Sequence, residues 1–155
     1  MLANHSFGPA YRGDTIVFGA CRPGYPNTVV ENATVSEWIQ FMKQNSIERI
    51  VCLLDDKQLA HYYDLLGQYR AEFGENNVFN FPIADYTKPD SEQLHSEILP
   101  VLRTAFHYEI KTLVHCSAGV GRTGAVLLAY LVKIRGFSRA KAEKAIEESR
   151  RSYGN

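Results

Sequence analysis

A chain of 155 residues, 45% hydrophobic and 22% charged, has the composition of one globular domain large enough to bury a core. Its 17 basic residues balance 17 acidic ones, so no general affinity for nucleic acid or an anionic membrane is expected, and anion binding would need a local site. No apolar run is long enough for a membrane span, Met1-Leu2-Ala3-Asn4-His5 lacks the pattern of a signal peptide, and Cys21, Cys52 and Cys116 are too scattered for a disulfide framework, so a reducing cytoplasm is expected.

Residues 1–13 carry Asn, Ser, Gly and Pro without periodicity and are expected to be extended or mobile. Thr15-Ile16-Val17-Phe18 is a short β-prone run, and Arg22-Pro23-Gly24-Tyr25-Pro26 after it reads as a loop. Thr34 with Glu37 forms a capping-box pattern, and Val35, Trp38, Ile39 and Met42 recur at helical spacing as a core stripe. Ile47 to Leu54 predicts a buried strand ending at Asp55-Asp56. Leu59, Tyr62, Tyr63, Leu66 and Tyr69 then predict one helix, stopped by Gly74. Val78 to Ile83 is a third apolar run, and Pro82 within it marks a strand end.

Asp90 or Ser91 can cap the next helix, whose inner face carries Leu94, Ile98, Val101, Leu102 and Ala105. Pro100 lies inside the pattern and is expected to kink or split it. Thr112 to His115 reads as another strand. A glycine-rich loop follows, then a helix apolar on nearly every side from Ala125 to Ile134, ended by Gly136. Ser138 can cap a final helix. Strands alternating with helices predict a single α/β domain with a central, mainly parallel sheet flanked by helices.

The loop is the informative stretch: His115-Cys116-Ser117-Ala118-Gly119-Val120-Gly121-Arg122-Thr123-Gly124. A loop rich in glycine that opens a helix turns several N–H groups toward one point at the positive end of the helix dipole, which makes an anion site. Cys116 lies at the bottom, where those groups would stabilise a thiolate, and Arg122 is a planar fork suited to two oxygens of a phosphate. A nucleophile beneath a bound phosphate describes a phosphatase.

Other readings of the same residues are weaker. Gly119 to Gly124 also spells G-x-G-x-x-G, but a dinucleotide site needs a second strand with an acidic residue about 20 positions on, and here Glu143 falls within a helix. No Gly-Lys-Ser/Thr follows the glycines, which excludes a P-loop NTPase. A zinc site lacks closely spaced cysteines or paired histidines, so no metal and no cofactor is expected. Cys116 alone would read as a buried structural thiol. With Arg122 six residues on, catalysis is the better reading.

These residues match His-Cys-five residues-Arg-Thr, and the chain resembles the cysteine-dependent protein tyrosine phosphatases, in particular their small dual-specificity branch. The likeness extends more loosely from about Ile47 to the end. It implies that Cys116 attacks phosphorus while Arg122 and the amides of Ser117, Ala118, Gly119, Val120, Gly121 and Arg122 hold the phosphate oxygens, with His115 and Thr123 in support. It also implies a general acid on a loop about 30 residues before the cysteine. Asp85, 31 residues before Cys116 and between Pro82 and Pro89, fits, with Asp55 and Asp56 as runners-up and Asp90 better explained as a helix cap.

Ser117 and Val120 are uncharged where related lipid phosphatases carry lysines, which favours a phosphorylated protein over an inositol lipid as substrate. A shallow pocket would admit phosphotyrosine and also phosphoserine and phosphothreonine. RNA triphosphatases share the scaffold, but no basic stripe supports nucleic acid. Some relatives place a cysteine at the position of Cys52 that can pair with the nucleophile, so Cys52 is a candidate redox partner beside the plainer reading of a core thiol. Small relatives often continue beyond the last helix, whereas this sequence ends at Ser152-Tyr153-Gly154-Asn155. A phospho-binding module without activity is the alternative of a different class.

Overall fold

A computed structural model of the protein describes residues 4–153. Its centre is a five-stranded sheet in the order β1-β2-β5-β3-β4. The strands are β1 (Gly8–Pro9), β2 (Val17–Ala20), β3 (Arg49–Cys52), β4 (Val78–Asn80) and β5 (Thr112–His115). The four longer strands run parallel, and only β1 is antiparallel, pairing Gly8 with Gly19. Of the chain start, read as extended or mobile, the described residues 4–13 form turns around the two-residue strand Gly8–Pro9, which is the edge strand beside β2, and Ser6, Gly8, Pro9 and Ala10 are buried. Residues 1–3 lie outside the described residues.

Side chains alternate between the two faces, as a pleated strand requires. On one face Val51, Leu53 and Val114 pack with Ile98, Leu99, Leu102, Val126, Leu127 and Tyr130. Those partners come from a helix beginning at α4 (Ser91–Gln93) and ending in α5 (Leu99–Tyr108), and from α6 (Gly121–Lys133). On the other face Ile50, Cys52 and Leu113 meet Val35, Trp38, Ile39, Met42, Tyr69 and Phe73. Those belong to α1 (Asn32–Gln44) and α3 (Leu65–Phe73). Helices therefore cover both faces, which is why the central strands read as continuous apolar runs. The α6 helix is wedged between the sheet and α7 (Arg139–Tyr153), with Ala142 buried against it, and this accounts for its apolar circumference. Among the described residues no helix is long and apolar enough to cross a membrane.

Two local expectations need correction. The Thr34–Glu37 pattern does not start α1. The helix begins at Asn32 after Glu31, with no side-chain cap, so Thr34 already sits in its first turn. The helix read from Leu59 to Tyr69 is two. Asp55 caps the short α2 (Asp56–Leu59) by accepting from Gln58 N, and Asp64 caps α3 by accepting from Gly67 N. Two good caps nine residues apart restart the chain, and Tyr63 between them is exposed. At Pro100, where a kink or a split is expected, the helical path continues but changes its winding. The five residues Leu94–Ile98 widen into a π turn between α4 and α5, taking up the amide that proline lacks as a change of winding. Gly74 (φ +93°) ends α3, and Asp90 and Ser138 cap their helices as read from the sequence.

Trp38 ties the second face together. It is fully buried, donates from Nε1 to Cys21 O at 3.0 Å, stacks on Tyr69 at 5.3 Å and meets the His115 ring edge at 5.4 Å. Trp38→Ala is expected to cost about 3–5 kcal/mol, the range for deleting a large buried aromatic, read as a lower midpoint in urea or thermal denaturation.

Candidate active site

The parallel register sets Ala20, Cys52 and Asn80 level with or one strand from His115, so four strands end at one edge of the sheet. Ligands in open parallel sheets bind beyond that edge. Cys116, the first residue after β5, is 2% exposed there at the floor of a cleft of about 540 Å³. The loop turns back at once and enters α6 at Gly121, with neither a side-chain cap nor an acidic residue in the first turn. Among the described residues no amide from Ser117 to Arg122 donates to a protein acceptor, so this helix end presents free N–H groups.

The loop is clamped to the segment after β2. Arg22 N donates to Ser117 O at 2.9 Å and Arg22 Nε to Ser117 Oγ at 3.0 Å. Gly119 has φ +81°, and a Cβ there would stand 2.5 Å from Ala20 O, so only glycine lets the loop lie this close to the strand. Arg22 itself is 3% exposed, donates to the Tyr62 hydroxyl at 3.2 Å and forms no ion pair among the described residues. It adds a buried positive charge beneath the loop.

Arg122 is 2% exposed and held from three directions. Its Nη1 donates to Gln58 Oε1 and to Ile83 O, each at 2.7 Å, and its Nη2 stands 3.2 Å from Asp85 Oδ1. That last contact is an ion pair without hydrogen-bond alignment, and Nη2 is buried with no hydrogen-bond partner among the described residues. Asp85, 39% exposed at its side chain, also accepts from Gln58 Nε2 at 3.2 Å and from Tyr86 N at 3.0 Å. Tyr25, Asp85, Tyr86 and Lys88 line the cleft above Cys116. The runners-up lie elsewhere in role: Asp55 is occupied as the α2 cap, and Asp56 is exposed in that helix's first turn.

His115 is fully buried, its Nδ1 3.1 Å from Cys116 O and its Nε2 3.0 Å from the Tyr69 hydroxyl. A carbonyl only accepts, so Nδ1 carries the proton and Nε2 accepts from Tyr69. Burial pushes the imidazole down to about 4, with Arg122 and Arg22 acting in the same direction. The ring is therefore a neutral brace for the Cys116 backbone. Thr123 Oγ1, in the first turn of α6, is buried with no hydrogen-bond partner among the described residues. Cys52 lies opposite His115 on β3 and packs into the second face, whereas Cys116 packs into the first. Burial raises the Cys52 thiol to about 12, and among the described residues no disulfide is formed.

The structure thus brings Cys116, Ser117 to Arg122 and Asp85 to one cleft, with His115 buried behind Cys116 and Thr123 buried in the first turn of α6. It adds Gln58 and Arg22, which sequence spacing did not assign, because each reaches the loop from 64 and 95 residues away. The arrangement can bind an oxyanion over a sulfur and present a carboxyl group to it from the rim.

Comparison with known proteins agrees. The family described as "Tc-R-P: Polymorphic toxin system, DSP-PTPase phosphatase" matches residues 25–136. The chain is similar to the dual specificity protein phosphatase OPG106 of vaccinia virus, 36% identical over 67 residues; the match covers 43% of this chain and 39% of the viral protein's length. It is similar in structure to Tk-PTP, with 27% identity and a TM-score of 0.68 over 92% of this chain and 83% of that one. Kinase associated phosphatase shares the fold, at 24% identity and a TM-score of 0.75 over 89% of this chain and 77% of the other.

Because His115 is neutral when folded and titrates near 6.5 when unfolded, protons favour the unfolded chain. The stability tied to this group is complete above pH ~6.5 and is lost as pH falls toward 4, on the order of 3 kcal/mol in all. Urea melts at pH 7, 5.5 and 4.5 are expected to show that decline, with a shallower slope in His115→Gln. Equal slopes would mean that other groups control acid stability.

Proposed function

The chain belongs to the DSP-PTPase phosphatase family of polymorphic toxin systems, and we propose that it hydrolyses phosphate monoesters of proteins, phosphotyrosine first and phosphoserine and phosphothreonine besides. The observation that carries this reading is one cleft with Cys116 on its floor, an Arg122 Nη2 that has no hydrogen bond among the described residues, and Asp85 on its rim. In the first step the Cys116 thiolate attacks phosphorus in line. The phosphorus–oxygen ester bond breaks, and Asp85 gives its proton to the departing oxygen. Arg122 and the amides from Ser117 to Arg122 take the charge on the equatorial oxygens. In the second step Asp85 takes a proton from water, whose oxygen displaces Cys116 and releases inorganic phosphate.

Thr123 Oγ1, buried and unpartnered, would donate to the Cys116 sulfur as it regains charge. The guanidinium and amides supply the charge stabilisation a metal ion would otherwise provide, so the reaction is read as metal-independent. A reducing compartment such as the cytoplasm is where a thiolate nucleophile persists. A second reading, a phosphoinositide or other non-protein phosphate ester, draws on Lys88 at the cleft, which could meet a second phosphate; the uncharged Ser117 and Val120 within the loop argue for protein. Cys52 is proposed as the partner that condenses with a Cys116 sulfenic acid, with loss of water. Mild peroxide followed by peptide mapping checks it, and sulfinic acid on Cys116 beside an unpaired Cys52 ends the idea.

Hydrolysis of 4-nitrophenyl phosphate is the test of the main reading. Wild type is expected to be active and unchanged by EDTA, with Cys116→Ser inactive. Asp85→Ala should lose about 10²–10⁴ in kcat, the range for a general acid, while Asp56→Ala changes little. A folded wild-type protein that binds phosphate without turning over substrate would instead support the phospho-binding module.

A further inference from the structure

Gln58 stands between the two charged groups of the cleft. Its side-chain oxygen accepts from Arg122 Nη1 at 2.7 Å, its side-chain nitrogen donates to Asp85 Oδ2 at 3.2 Å, and the residue is 8% exposed. We infer that Gln58 is a positioning residue that sets the Arg122 guanidinium for oxyanion binding and couples it to the placement of Asp85. The inference rests on the roles given above to Arg122 and Asp85.

The chemistry of an amide explains why glutamine stands here. One end must face a guanidinium, which only donates, and the other a carboxylate, which accepts. The reverse orientation would set donor against donor and acceptor against acceptor, so the two partners fix the amide in one pose. Glutamate could hold Arg122 but would repel Asp85, and lysine would do the opposite. Gln58 is itself anchored, because Asp55 Oδ1 accepts from its backbone N at 3.0 Å at the start of α2.

Its effect on Arg122 is directional. Nη1 carries two hydrogens, and Gln58 Oε1 and Ile83 O engage it at 2.7 Å each. That edge is occupied, and the edge bearing Nε and Nη2 is left for a bidentate grip on phosphate. Without Gln58 the guanidinium is held at that end by one carbonyl and can turn about its last bond. Its effect on Asp85 is to pull Oδ2 inward, toward α2, in a carboxyl group otherwise seated on an exposed loop.

Two readouts separate this from a merely structural role. The first is binding of inorganic phosphate by calorimetry, which needs no turnover. The second is kcat/KM across aryl phosphates whose leaving phenols grow more basic, from 4-nitrophenyl to phenyl, because a misplaced acid harms poor leaving groups most. Gln58→Met, matched in length, is expected to weaken phosphate binding by about tenfold, the lower end for a hydrogen bond to a charged group. It should also slow phenyl phosphate several-fold more than 4-nitrophenyl phosphate.

Gln58→Glu keeps an acceptor for Arg122 and is expected to show the leaving-group penalty even if Gln58→Met fails to fold. Wild-type phosphate affinity and leaving-group dependence in a folded Gln58→Met, or an unchanged leaving-group dependence in Gln58→Glu, would overturn the inference. In that case an active wild type and an inactive Cys116→Ser would leave the phosphatase reading standing. A wild type that neither binds phosphate nor hydrolyses any ester would remove both.

Discussion

Everything at the cleft depends on where the parallel strands stop. Ala20, His115 and Cys52 lie level across β2, β5 and β3, and Asn80 of β4 pairs with Cys52. Past that line each strand hands its chain to a loop. The loop after β5 turns into α6, the one after β2 supplies Arg22, the one after β3 leads into Gln58, and the one after β4 carries Ile83 and Asp85. A slip of one residue in β5 would exchange its two faces and take Cys116 off the floor. The buried brace of Trp38, Tyr69 and His115 holds that register from below, which makes the second face of the core a condition of the site's geometry.

The charge distribution follows the same economy. The chain is neutral overall, yet it buries two guanidiniums, Arg22 and Arg122, within reach of one loop, with the half-exposed Asp85 as the carboxylate paired at the cleft. Burying a charge is tolerable only when hydrogen bonds replace its water. Arg22 has Ser117 and Tyr62; Arg122 has Gln58 and Ile83 O. All of these partners are neutral, so they solvate the cations without cancelling them. The positive potential is left for an anion that arrives from the cleft.

How much of this could be read beforehand depended on sequence distance. Cys116, Arg122 and the glycines between them are local, and strand, loop and helix all agree around them. Asp85 was legible through its place after an apolar run and between two prolines. Gln58 was not: glutamine on a short polar helix has the pattern of a solvent-facing residue, and only the fold brings it to Arg122. Arg22 reads as part of a proline-rich turn near the mouth of the site, but nothing in the sequence places it there. Tyr69 read as one position of a helical stripe, whereas its hydroxyl meets a histidine 46 residues later. Across 56–73 the apolar spacing runs on as if through one helix, whereas Asp55 and Asp64 each cap a separate one.

The contact between Arg122 and Asp85 also says what binding must rearrange. Nη2 faces Asp85 Oδ1 at 3.2 Å without alignment, and the carboxylate is 39% open to water. The pair thus joins a buried guanidinium to a carboxylate that water already reaches, without the alignment of a hydrogen bond. A phosphate ester approaching Cys116 offers two oxygens to the same guanidinium edge, together with the amides of the loop, which Asp85 does not reach. In the proposed reaction the ester takes the place of the carboxylate at Arg122. What remains to Asp85 is its bond to Gln58 at one oxygen and to Tyr86 N at the other, on the rim where the leaving oxygen would stand. In the proposed reaction, substrate binding thus frees the acid by taking over its partner.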